Sequence, residues 1–184
     1  MAGDTVGLID ALGFADVHLV GVSMGGMIAQ TVAALTPARV RTLTSIMSTT
    51  GARRVGRPAW SALRRMGGRP PATRQAHADR LVGMYRHIGS HGFPAVRACA
   101  ELAWERDPSG QGVARQLAAI VKSGDRTARL AAIAAPTLVI HGDRDRMVNP
   151  TGGGATARAN PGSSSTATSA EPTQSRSDDA PTVP

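Results

Sequence analysis

Apolar positions along the chain switch between two periods, and the switches mark its elements. Val6, Leu8, Ile9 and Leu12 fall at helical spacing within residues 4–13, and Gly13 stands where a C-cap glycine belongs. Residues 14–22 read as a strand, and the near-continuous apolar run from Val17 to Val22 suits a parallel strand covered on both faces. Met27 to Leu35 returns to helical spacing and stops before Pro37, since the residue preceding a proline is pushed out of helical geometry. Val40 to Met47 then alternates, with Thr42, Thr44 and Ile46 supplying β-branched side chains, so a second strand follows. Strand, helix and strand with a helix-length crossover predict parallel pairing in an α/β fold.

Residues 50–70 lose this order, because Gly51, Gly56, Pro58, Gly67, Gly68 and Pro70 break any long element. Helical spacing resumes, predicting helices over 73–89, 93–105, 111–123 and 126–133, so residues 50–130 form a mostly helical insertion between strands. Pro136 opens the β-prone run Thr137 to Ile140, closed by His141-Gly142-Asp143. From Thr151 onward there is no aromatic residue, Leu, Ile or Met, and Val183 is the one β-branched aliphatic. Such a segment cannot bury enough apolar surface to offset an ordering cost of about 1–2 kcal/mol per residue, and disorder is expected.

Composition changes this picture little. The 184 residues suit one domain, 41% hydrophobic, with a formal net charge of +8. The charge is almost all arginine, with Lys122 the sole lysine, and the cluster from Arg53 to Arg80 has no stacking platform beyond Trp60. Solvated helix faces, not a nucleic-acid partner, are the reading. A lone Cys99 gives no internal disulfide and is read as a buried structural thiol. No apolar run approaches the ~20 residues of a membrane span, and no signal peptide is recognisable, so a cytoplasmic location is expected.

The chemistry gathers at Gly21-Val22-Ser23-Met24-Gly25-Gly26, which lies between the first strand and the helix after it. A serine at the tip of so sharp a turn takes strained backbone angles, and flanking glycines let strand and helix approach. Gly21 and Gly25 meet that need, Gly26 allows closer packing still, and Ser23 becomes a candidate nucleophile. The second stretch of interest, Pro136 to Asp145, ends a strand in His-Gly-Asp-Arg-Asp.

Both stretches resemble the α/β-hydrolase fold esterases. Val-Ser-Met-Gly-Gly-Met-Ile-Ala-Gln with Thr-Ser-Ile-Met-Ser-Thr-Thr-Gly is similar to actinobacterial carboxylesterases of the aclacinomycin methylesterase kind. The resemblance implies a partial α/β-hydrolase fold: core at 1–49, helical lid at 50–133, core strand and acid loop at 134–160, and a disordered tail at 161–184. It implies an acyl-enzyme mechanism on a small-molecule ester without a cofactor, with Ser23 as nucleophile, the Met24 N–H as oxyanion donor and Asp145 as the acid. Asp143 is the rival acid and reads as a turn residue. His141 with Asp143 and Asp145 could be taken for metal ligands, but the hydrolase reading accounts for the same residues.

The resemblance also implies a histidine after a further strand, and none follows Asp145. His18 reads as structural, and His77, His87 and His91 as surface or lid positions. Lid residues Trp60, Met66, Met84, Tyr85 and Trp104 read as helix packing. A truncated start and a reading-frame shift near Asn160 are therefore expected. So is an exposed edge at the first strand, open to self-association. An impaired esterase follows, with a catalytically silent binding fold as the alternative.

Overall fold

The computed structural model describes residues 1–89 and 93–168. Its centre is a four-stranded, all-parallel sheet in the order β1 (Val17–Val22), β2 (Val40–Ile46), β3 (Thr137–Gly142), β4 (Ser163–Thr168). Helix α1 (Ala2–Ala11) leads into β1, α2 (Met24–Leu35) crosses from β1 to β2, and a 3-10 turn at Pro37–Arg39 closes the crossover. Between β2 and β3 lie α3 (Trp60–Met66), α4 (Arg74–His87), α5 (Phe93–Arg106), α6 (Gln111–Ser123) and α7 (Thr127–Leu130). Helix α8 (Thr151–Ala159) joins β3 to β4.

The core forms where α2 lays Ala29, Val32 and Ala33 on Val40 and Leu43 of β2, with Leu130, Ile133 and Ala135 closing it from the far side. Strand register aligns Leu19, Leu43 and Thr137 on this covered face. The opposite face aligns Val20, Thr44 and Leu138, and here Val20 is 68% exposed and Leu138 39%. The expectation that β1 is covered on both faces is thus corrected. Helices α2, α7 and α8 all serve one face, and among the described residues β1 pairs on one side only.

The segment expected to be disordered from Thr151 on is also corrected for its described part. Its polar side chains find partners in the backbone and in β3: Asn160 Nδ2 donates to Thr137 Oγ1 at 2.9 Å, Ser163 Oγ to Ala157 O at 2.9 Å, and Thr156 Oγ1 to Gly152 O at 2.9 Å. The strand that follows is held by its backbone ladder to β3 and needs no apolar face. Residues 169–184 and His91 lie outside the described residues.

In the inserted helices three side chains depart from their expected roles. Cys99 is exposed, because α5 turns Ala100 inward at 0% exposure and leaves its neighbour outside. Trp60, expected to pack between helices, is 74% exposed. Arg80 is no solvated face charge, for its guanidinium bonds the carbonyls of Met66 at 2.6 Å, Gly67 at 2.8 Å and Arg69 at 3.0 Å. It thereby satisfies acceptors that the end of α3 leaves without intrahelical partners. Among the described residues no helix is long and apolar enough to cross a membrane.

Candidate active site

The carboxyl ends of the strands place the candidate residues on one rim. Register carries Val22 to Ile46 and Ile46 to Ile140, so Ser23 and the loop after β3 both leave the sheet at its top edge. They are two strands apart, roughly 10 Å by strand spacing, so a third group must bridge them.

Ser23 caps α2 with φ 55° and ψ −116°, a conformation that a side chain resists at a cost of about 1–3 kcal/mol. Its backbone is over-determined: Ser23 N donates to Ile46 O at 2.8 Å, while Ser23 O accepts from Ser48 Oγ at 2.9 Å and Met27 N at 3.2 Å. A β-carbon on Gly21 would meet the Gly25 carbonyl oxygen at 2.3 Å, and one on Gly26 the Ser48 β-carbon at 2.7 Å. One on Gly25 meets nothing within 4 Å. The close approach of strand and helix therefore rests on Gly21 and Gly26, not on the Gly21 and Gly25 pair that the motif picks out. Met24 is the first residue of α2, at an end whose amides lack intrahelical acceptors.

Asp145 is held in the loop after β3 by two backbone amides, Met147 N at 2.7 Å and Val148 N at 2.9 Å, both on Oδ1. Its side chain is 8% exposed, and Oδ2 is buried without a hydrogen-bond partner among the described residues. That leaves one carboxylate oxygen fixed and the other open to accept a donor. Asp143 is exposed. His141 is engaged as a donor, because Nε2 lies 2.7 Å from Val148 O, and a carbonyl only accepts. Its Nε2 is 3.6 Å from Asp145 Oδ2, and its Nδ1 faces Gly153, where a β-carbon would sit 2.6 Å away. His141 thus braces α8 and the acid loop. Among the described residues no three His, Cys, Asp or Glu side chains gather as metal ligands.

The remaining described histidines each contact another group. His18 Nδ1 bonds Thr42 Oγ1 at 2.8 Å, the His77 ring lies tilted at 43° to Trp104 with centroids 5.5 Å apart, and His87 Nε2 lies 2.8 Å from Ser61 Oγ. Desolvation, then the charges of Arg65 and Arg146, hold the His87 pKa below its usual 6.5. The folded state therefore binds this proton less readily than the unfolded chain. Stability from His87 is present above pH 6.5 and falls as pH drops from 6.5 through the lower folded value. An NMR titration is expected to give His87 a midpoint under 6.5, and Arg65→Gln to raise it.

Two residues of the site escape a reading by motif. Ser48 clamps the Ser23 carbonyl and packs on Gly26, yet in sequence it is one small residue after a strand. Arg126, 2% exposed, braces the loop that carries Ser48 by bonding Thr49 O at 2.9 Å and Ser123 Oγ at 2.8 Å. Burial pulls its pKa below the usual guanidinium value, opposed by Asp125. Nothing in the local pattern separates it from the solvated arginines.

Residues 1–169 match the family described as the alpha/beta hydrolase fold. The chain belongs to the α/β-hydrolase fold family. Solved structures of this family superpose on it. The meta-cleavage product hydrolase from Pseudomonas fluorescens is 19% identical at a TM-score of 0.67, covering 90% of this chain and 60% of its own. The enol-lactonase from Burkholderia xenovorans is 23% identical at a TM-score of 0.64, covering 91% and 62%. A bacterial membrane phospholipase A is 25% identical at a TM-score of 0.69, covering 91% and 54%. The chain therefore spans 54–62% of the length of these structures. No curated protein matches it in sequence.

Proposed function

We propose that this α/β-hydrolase chain carries the nucleophile and the acid of a carboxylesterase-type site. Ser23 Oγ would attack the ester carbonyl while its proton passes to a base, and the Met24 N–H would support the oxyanion. The alcohol would leave with that proton, and water would then release the acid from the acyl-serine. Asp145 would orient the imidazole and stabilise its charged form. The observation that carries this reading is the buried, unpartnered Oδ2 of Asp145, on the rim that also holds the strained Ser23.

A second reading is a fold that binds without chemistry. It is favoured by the engagement of His18, His77, His87 and His141 with other groups. A gain-of-function test separates the two. Strand β4 pairs beside β3, with Thr166 opposite Ile140 and Ala167 opposite His141, next to the acid loop. Thr166→His or Ala167→His is expected to raise p-nitrophenyl ester hydrolysis at one position by at least about tenfold. General base catalysis contributes roughly 10²–10⁴-fold when well placed. The gain should vanish with Ser23→Ala. No gain at any position, or one that survives Ser23→Ala, sides with the binding reading.

A further inference from the structure

A cleft of about 250 Å³ lies within the inserted helices, partly open to solvent, and shares no residue with the elbow or the acid loop. Trp104 of α5 and His77 of α4 meet in it with their rings at 43°, so they form a corner rather than a stack. Both residues are half-buried. Pro70, Pro71 and Pro108 add apolar surface. Asp107 is the one acidic side chain in the lining, beside the uncharged Ser109 and Gln116, and no arginine or lysine lines the cleft.

The carboxylate is fixed in place. Asp107 Oδ1 accepts from Ser109 Oγ at 2.5 Å and from Ser109 N at 2.9 Å. Those bonds hold its pKa below the usual 3.8 against a smaller effect of burial, and Arg115 adds to them from outside the lining. Oδ2 is turned toward the first turn of α6, 3.5 Å from where a β-carbon on Gly112 would sit.

An ionised carboxylate repels an anion, and a neutral apolar molecule makes no use of it. A primary ammonium is a compact, strongly hydrated charge and gains little in a cleft that water enters. A methylated ammonium carries its charge under an apolar shell, so it is drawn to an aromatic face and to a carboxylate together. The net charge of +8 does not forbid this, because exposed charges are largely screened beyond about 8 Å at physiological ionic strength. We propose that this cleft binds a small quaternary ammonium group, its methyls against Trp104 and the His77 ring and its charge beside Asp107.

Tetramethylammonium chloride titrated into the full chain at constant ionic strength tests this, read at the indole N–H resonances of the two tryptophans. A saturable shift is expected at Trp104 and none at Trp60, which is 74% exposed and outside the cleft. tert-Butanol, neutral and nearly the same shape, is expected to bind at least about threefold more weakly. Asp107→Asn keeps an acceptor for Ser109 and removes the charge; it is expected to weaken the cation about threefold and leave tert-butanol unchanged. Trp104→Leu, read at the Gly112 amide, should weaken the cation about fivefold or more. Ser23→Ala should leave binding as it is, so failure of the hydrolase reading and failure of this one are distinguishable. No saturable shift at Trp104, equal binding of the two probes, or wild-type affinity for the cation in folded Asp107→Asn would overturn the proposal. If a variant does not fold, the two probes on the wild-type chain decide alone.

Discussion

Gly21→Ala is expected to destabilise the chain by about 3 kcal/mol or more, whereas Gly25→Ala leaves stability within about 1 kcal/mol of the wild type. Both glycines belong to the same motif, so a reading by motif alone expects similar damage from each. The difference lies in what a methyl group meets. At Gly21 it would lie 2.3 Å from the Gly25 carbonyl oxygen and 2.6 Å from the Gly26 nitrogen. Those are backbone atoms at the start of α2, where Ser23 is already fixed by Ile46, Ser48 and Met27, so they cannot move aside cheaply. At Gly25 a methyl finds open space within 4 Å, and the residue lies in the helix, where alanine is intrinsically favoured over glycine. For a domain of this size 1 kcal/mol shifts Tm by roughly 2–4 °C, so thermal melting should separate Gly21→Ala from Gly25→Ala by about 4 °C or more. Equal melting temperatures would mean that the elbow relaxes where its contacts say it cannot.

How much of this was legible beforehand depended on whether apolar periodicity carried the element. Helix α2 and strands β2 and β3 announce themselves by spacing, and their observed bounds lie within one to three residues of those expected. Helix α8 and strand β4 do not, because Gly152, Gly153, Thr156 and Asn160 are buried without being apolar. Their stability comes from close backbone approach and from polar partners far away in sequence, such as Thr137 for Asn160. The opposite failure occurs at β1. Val20 and Val22 read as interior residues, yet they are 68% and 52% exposed, since no helix among the described residues covers that face. Ser23 was legible as a candidate from its glycine-flanked turn, and Asp145 through what the family resemblance implies. Ser48 and Arg126 were not, as their contacts close loops that no spacing rule connects.

The isolated chain is expected to hydrolyse p-nitrophenyl esters no faster than its Ser23→Ala variant. The elbow alone is a poor catalyst for a quantitative reason. In the well-studied serine protease case, removal of the triad histidine costs on the order of 10⁶-fold in kcat. Loss of one oxyanion donor costs a further ~10²–10³-fold. The serine hydroxyl is a weak nucleophile unless a base takes its proton as it attacks. The four described histidines have their rings against Thr42, Trp104, Ser61 and Val148. Asp145 keeps Oδ2 open, but a carboxylate two strands away cannot reach the hydroxyl directly. Strained geometry at Ser23 raises no nucleophilicity by itself; it positions an oxygen that something else must activate. A burst of p-nitrophenol equal to the enzyme concentration, abolished by Ser23→Ala, would show that a base reaches this serine after all. His87 would be the first to change next, since desolvation and the charges of Arg65 and Arg146 hold its pKa below the usual value and so favour the neutral imidazole that a base requires.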